Sequence, residues 1–201
     1  NIETMMLHCK TVKKFTKKSL VVFDMPYKTY GNKLTAFKNA SKVIRHTRCD
    51  AIKLEGGKKI VNIIKYLVKK GIPVVGHVGL MPQTSINFKV KGKKFVQKKK
   101  ILKDALAISN SGAFAMIIEC VVENLARKIT KSVSIPTIGI GASRYCDGQI
   151  LVTEDMLGLS DFSPKFVKQY TNLNKIMEKS IKNYVKDVKM RRFPSFKNVY
   201  K

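Results

Sequence analysis

Short apolar segments and amphipathic segments alternate along this chain, and that alternation restricts it to folds built on a parallel sheet. Five segments read as buried strands: S-L-V-V-F-D-M-P (19–26), D-A-I-K-L-E (50–55), I-P-V-V-G-H-V-G (72–79), A-F-A-M-I-I-E-C (113–120) and I-P-T-I-G-I-G-A (135–142). Helical periodicity occupies 36–46, 59–70, 98–110 and 122–131, and Gly71 is placed to end the second of these helices. Q-I-L-V (149–152) is a weak sixth strand, and the opening I-E-T-M-M-L-H-C-K-T-V belongs to a helix. Residues 164–190 read as two further helices and 191–201 as a basic end. With 201 residues and no internal boundary, 1–201 is expected to form a single domain.

Such a sheet can be open and doubly wound, or part of a (β/α)8 barrel. Asp24, Glu55, His77, Glu119 and the Gly139–Gly141 turn fall at or near the carboxyl ends of successive strands. In a barrel those ends form one ring around the active site. In an open sheet the ligand crevice forms at a switch point, and fewer strands need polar ends. Polar ends on every clear strand favour the barrel, and the strand count implies that its first two strand–helix units are lacking.

Composition narrows the function classes. Hydrophobic content of 44% suits a globular protein rather than a disordered one. No apolar run approaches the roughly 18–20 residues needed to span a bilayer. A net charge of +27 raises nucleic acid or an anionic membrane surface as partners. However, the lysines are spread along the whole chain, and K-G-K-K (91–94) and K-K-K (98–100) lack the interleaved aromatics that stack bases. Neither nucleic acid nor membrane is the expected partner. Cys9, Cys49, Cys120 and Cys146 show no C-x-x-C spacing, which argues against a zinc or redox site and fits buried thiols in a reducing cytoplasm.

Each candidate residue has two readings. Asp24 is a loop cap or a metal ligand. Lys53 and Glu55 lie two apart, hence on one face of their strand, as an internal ion pair or as the floor of a site. With Asp24, Glu55 would suit a hard cation such as Mg²⁺. Gly56-Gly57 would leave room for a ligand close by. His77 is a hydrogen-bonded core residue, or a ligand contact given space by Gly76 and Gly79. Glu119, closing F-A-M-I-I, is a helix N-terminal acid or a desolvated general base.

Together these segments resemble the ketopantoate hydroxymethyltransferase family. The blocks that carry the resemblance run in order: V-V-F-D-M-P-Y, A-I-K-L-E-G-G, V-V-G-H-V-G-L-M-P-Q, I-I-E-C-V, I-P-T-I-G-I-G-A and D-G-Q-I-L-V, with S-P-K-F-V-K-Q-Y after the barrel. The resemblance spans about 3–190. It implies a (β/α)8 barrel of the phosphoenolpyruvate/pyruvate type, usually a homodecamer. The implied reaction moves a hydroxymethyl group from 5,10-methylenetetrahydrofolate to 3-methyl-2-oxobutanoate, giving 2-dehydropantoate for pantothenate synthesis. By the family's pattern Asp24 and Glu55 match Mg²⁺ ligands, Asp24 and Lys53 contact the keto acid, Glu119 is the catalytic base, and His77 lies beside the substrate.

Two departures accompany the match. The family carries an earlier Val-Gly-Asp-Ser block, whose Asp ligates the metal and whose Ser binds substrate. This sequence has no such block, so its metal site reads as one carboxylate short. The family's Gly-Gly-Tyr stretch after P-Q-T-S-I-N-F is also missing, since Phe88 runs straight into K-V-K-G-K-K. A truncated inactive homologue, a related barrel lyase and, more remotely, a basic RNA-binding protein are the alternatives.

Overall fold

The computed structural model describes residues 1–86, 88–161 and 163–200; Asn87, in the P-Q-T-S-I-N-F block, and Phe162 lie outside them. The chain divides into two compact units, Asn1–Ile150 and Leu151–Lys201.

The first unit opens with helix α1 (Ile2–Phe15), capped by the Asn1 side chain. Strands β1 (Val22–Asp24), β2 (Ala51–Lys53), β3 (Val74–Gly79), β4 (Ala115–Glu119), β5 (Thr137–Ile140) and β6 (Gly148–Gln149) follow. Between them run α2 (Lys33–Thr47), a 3₁₀ turn (Gly57–Ile60) leading into α3 (Val61–Lys69), α4 (Phe95–Ser109) and α5 (Glu123–Ser132). Local chemistry sets these boundaries. Asn32 caps α2 by accepting from Thr35 N–H at 2.9 Å, which starts the helix three residues before its apolar periodicity. Gly71, at φ +78, follows the end of α3 in the left-handed conformation that ends helices.

All six strands are parallel, and their order in the sheet is their order in the chain. A doubly wound sheet reverses its order at a switch point. Unbroken sequential order with helical crossovers of one hand instead places the crossover helices on one face, as in a barrel wall. The fold is therefore a partial (β/α) barrel.

The period of two along each strand sorts side chains between the layers. Phe23, Met25, Ile52, Leu54, Val74, Val78, Met116 and Ile118 join the helices in the main core. The opposite face holds a small apolar floor of Val75, Ala115 and Ile117, packed by Ile138 and Ile140. Asp24, Lys53, Glu55, His77 and Glu119 continue that inner face toward the carboxyl ends of the strands.

Most glycines around the candidate residues serve packing rather than ligand space. A Cβ on Gly76 would lie 2.3 Å from Ile108 Cγ2 of α4, and one on Gly79 would lie 2.1 Å from the Glu119 carbonyl oxygen. Those on Gly56 and Gly57 would meet Ile60 at 2.5 Å and Asp104 at 2.8 Å. At Gly57, Gly76 and Gly79 this corrects the expectation of ligand space, since they admit the protein's own helix and neighbouring strand; Gly56 lines a cavity together with Glu55 and Tyr30.

In the second unit, α6 (Thr153–Leu157) precedes α7 (Leu173–Lys189). Only α7 is helical within 164–190, where two helices were expected. Asn172 accepts from Lys175 N–H at 3.0 Å and starts the helix there, while Pro164 and Val167 close a turn upstream. The sixth strand also shifts. Pairing covers Gly148–Gln149 rather than 149–152, because Val152 already caps α6.

Gly76→Ala is expected to destabilise the chain by about 1–3 kcal/mol through overpacking against Ile108. In a denaturant-unfolding double-mutant cycle, adding Ile108→Ala should recover part of that loss, giving a non-additive pair.

Candidate active site

Strand register brings the candidate side chains to the barrel mouth in sequence. Asp24 pairs in register with Lys53, Lys53 with Val75, and Gly79 with Glu119. Lys53 Nζ donates to Asp24 Oδ1 at 2.7 Å and to Glu55 Oε1 at 3.4 Å. His77 Nδ1 lies 3.9 Å from Glu55 Oε1, and its Nε2 lies 3.6 Å from Glu119 Oε2. One line of charged and polar groups thus crosses four strands, running Asp24, Lys53, Glu55, His77, Glu119. All five expected residues meet here. The ion pair of Lys53 with Glu55 and the mouth position are both present.

Burial is uneven along this line. The Asp24 side chain is 40% exposed, whereas that of Glu55 is 4% and that of His77 is 0%. Burial pushes the Glu55 carboxyl up, against the pull of the Lys53 ammonium. Glu119 rises to about 7, mainly by burial and further by the Glu55 and Asp24 carboxylates, with Lys53 opposing. Burial, and then the Lys53 charge, lower His77 to about 3, so its ring is neutral at pH 7. Glu119 does not serve as a helix acid. The first turn of α5 carries Glu123 instead, and Glu119 points at His77.

The donor set suits a hard cation. Glu55 Oε2 is buried with no hydrogen-bond partner among the described residues, as are both His77 ring nitrogens. Fully ionised, Asp24, Glu55 and Glu119 against one Lys53 leave two negative charges, which a divalent cation would balance. No cluster of three or more His, Cys, Asp or Glu suited to a metal occurs among the described residues. Asp24 and Glu55 would therefore need oxygens from substrate or water to complete a shell.

The model of the family described as ketopantoate hydroxymethyltransferase matches residues 1–196. The chain is 49% identical to 3-methyl-2-oxobutanoate hydroxymethyltransferase of Pelagibacter ubique over 199 residues, which cover 99% of the chain and 77% of that protein. It is 50% identical to the protein of the same name from Bartonella tribocorum, covering all of the chain and 76% of the relative. The chain belongs to the ketopantoate hydroxymethyltransferase family. Among solved structures, 2,3-dimethylmalate lyase, a PEP mutase/isocitrate lyase superfamily member, is similar with a TM-score of 0.54 at 10% identity, covering 98% of the chain and 67% of the lyase. At that identity the likeness bears on the fold alone.

Several blocks of this ketopantoate hydroxymethyltransferase family member are scaffold. Asp147 of D-G-Q accepts from Thr137 N–H at 2.7 Å and from Thr137 Oγ1 at 2.9 Å, fixing the start of β5. Asp50, at the head of β2, accepts from Val21 N–H at 2.7 Å and pairs with Lys13 of α1 at 2.6 Å. All four cysteines are buried free thiols.

Sequence reasoning missed two residues at the mouth. The Tyr30 hydroxyl accepts from Glu55 N–H at 3.3 Å, and burial lifts its pKa to about 12. Gln83 reaches from the loop after β3 to the end of β1. Its Oε1 accepts from Tyr27 N–H at 2.6 Å, and its Nε2 donates to Asp24 Oδ1 at 3.3 Å and Met25 O at 3.2 Å. Its place in the L-M-P-Q block was the available signal.

Glu119 and His77 give opposite pH dependences. Glu119, raised in the folded state, favours folding below about pH 4.5 and loses that contribution as pH climbs through about 7. His77, lowered to about 3, favours folding above about pH 6.5 and loses that contribution as pH falls. In the metal-free chain at pH 8, Glu119→Gln should therefore raise stability by on the order of 2–3 kcal/mol, and little at pH 4.5. Thermal unfolding at the two pH values measures the difference.

Proposed function

We propose that Asp24, Lys53, Glu55, His77 and Glu119 form the active site of a 3-methyl-2-oxobutanoate hydroxymethyltransferase, which takes its one-carbon unit from 5,10-methylenetetrahydrofolate. The single observation that carries this reading is the line of groups at the barrel mouth. It ends in a carboxyl lifted to about 7 beside His77, and near its other end a lysine links two more carboxylates.

The reaction needs a base for the weakly acidic C3–H of the keto acid. Glu119 has that character: burial raises its proton affinity, and a base with pKa near the working pH is effective. Water adds to the donor's methylene carbon as its two C–N bonds break, so that tetrahydrofolate leaves with water's two protons on its nitrogens and the carbon is released as formaldehyde. The Glu119 carboxylate takes the C3 proton, the electron pair left on C3 forms the bond to that carbon, and the resulting alkoxide takes the proton back from Glu119 to become the hydroxymethyl group. Lys53 binds the anionic keto acid and lends positive charge to the developing enolate. Neutral, fully buried His77 packs between Glu55 and Glu119 and keeps water from the base. Asp24 and Glu55 would hold Mg²⁺ or another divalent cation, which supplies Lewis-acid stabilisation of the keto acid's oxygens.

The family pattern supports a homo-oligomer, by resemblance a homodecamer. Buried free thiols support a cytoplasmic setting. Among the described residues no helix is long and apolar enough to cross a membrane.

Glu55→Gln should remove most metal-dependent turnover while leaving the far-UV circular dichroism unchanged. Near wild-type turnover with saturating Mg²⁺ would sink the assignment of Glu55. Product is followed as 2-dehydropantoate.

A further inference from the structure

We propose that Gln83 is a positioning residue that latches the end of β1, so that Asp24 is held facing the barrel mouth beside Glu55. This rests on the metal pair proposed above and adds a residue outside it.

The geometry is specific to a glutamine. One side-chain amide uses both ends: its oxygen accepts from the Tyr27 backbone at 2.6 Å, and its nitrogen donates to Met25 O at 3.2 Å and Asp24 Oδ1 at 3.3 Å. These partners flank Pro26, and Pro has no N–H with which to anchor the turn. The bonds bridge 56 to 59 residues of sequence, joining the loop after β3 to the loop after β1 across β2. Gln83 itself sits on a fixed base. Leu80 N–H donates to Glu119 O at 2.8 Å, and the Thr84 and Ser85 N–H groups close a turn onto Met81 O.

Asp24 needs such a hold because it is the more exposed of the two carboxylates, at 40% against 4% for Glu55. The structure gives it two side-chain partners, Lys53 and Gln83. Lys53 is shared with Glu55 and, in the proposed reaction, with the keto acid. The Gln83 side chain bonds only to the end of β1 and the turn that follows it, and it can stay in place while substrate enters.

The test compares wild type with Gln83→Ala and with Gln83→Met, which keeps the length but makes none of the three bonds. Direct Mn²⁺ binding by titration calorimetry should weaken about 10–100-fold in both variants, the usual effect of removing a group that orients a metal ligand. Amide hydrogen exchange at Tyr27 should accelerate in both. A merely structural loop residue would lower the melting temperature and leave Mn²⁺ affinity of the folded chain unchanged; that result, or unaltered Tyr27 protection, overturns the proposal. If Gln83→Ala does not fold, Gln83→Met decides by the same two readouts. If wild type itself binds no Mn²⁺, the metal pair fails as a reading. The latch is then judged on Tyr27 exchange alone, faster exchange retaining it and unchanged exchange removing it.

Discussion

The ammonium of Lys53, 2.7 Å from Asp24 and 3.4 Å from Glu55, makes the rest of the barrel mouth possible. Parallel strands lie about 4.8 Å apart, so carboxylates at adjacent strand ends are forced close together. Two like charges about 5 Å apart at an effective dielectric near 20 repel by roughly 3 kcal/mol. A single cation between them turns that repulsion into a network, and it stays partly buried in doing so. Because Lys53 and Glu55 are two residues apart on one strand, the same backbone geometry that aims the acid also aims its counter-ion. Further along the line the Lys53 charge still opposes the rise of the Glu119 carboxyl, but burial outweighs it.

The charge balance of the whole chain gives this mouth its contrast. The sequence has 40 Lys and Arg against 13 Asp and Glu, yet three of those 13 acids gather at one end of the sheet. A strongly positive surface around an acidic site draws small anions toward the molecule, while the carboxylates give the mouth a local field of the opposite sign. A keto acid and a divalent cation would each find a favourable part of that field. Base stacking finds nothing equivalent, because K-K-K at 98–100 lies on α4 without interleaved aromatics.

Much of this was legible in the residues. Period-two burial in β2, β3 and β4 placed Lys53, Glu55, His77 and Glu119 on one face, and the polar strand ends by themselves favoured a barrel. The glycines misled, because a glycine records close approach without saying by what. Gly76 faces Ile108, and Gly79 faces the backbone of Glu119. Both neighbours are more than 30 residues distant in sequence and invisible to local pattern. Tyr30 and Gln83 were missed for a related reason. Each acts on the backbone of a distant strand, Tyr30 on Glu55 N–H and Gln83 on Tyr27 N–H, and backbone partners leave no side-chain motif. The tail was misread because apolar residues in 164–171 match helical spacing, while Pro164 and the Asn172 cap confine the helix to Leu173–Lys189.

The two faces of the sheet divide stability from chemistry. The helix-facing core is large and continuous, whereas the inner apolar floor has three buried residues, Val75, Ala115 and Ile117. Above that floor lie groups no stability-driven sequence would choose: a buried carboxylate oxygen and two imidazole nitrogens without partners among the described residues. Each such group costs about 1–3 kcal/mol when left unsatisfied. The outer layer offsets this, since single side chains such as Met116 and Ile118 contribute comparable amounts by burial. A mouth kept short of partners is poised to gain from whatever supplies them. A cation on the Glu55 oxygen that Lys53 does not reach would satisfy one such group, and binding energy can then act where the C3 proton is to be removed.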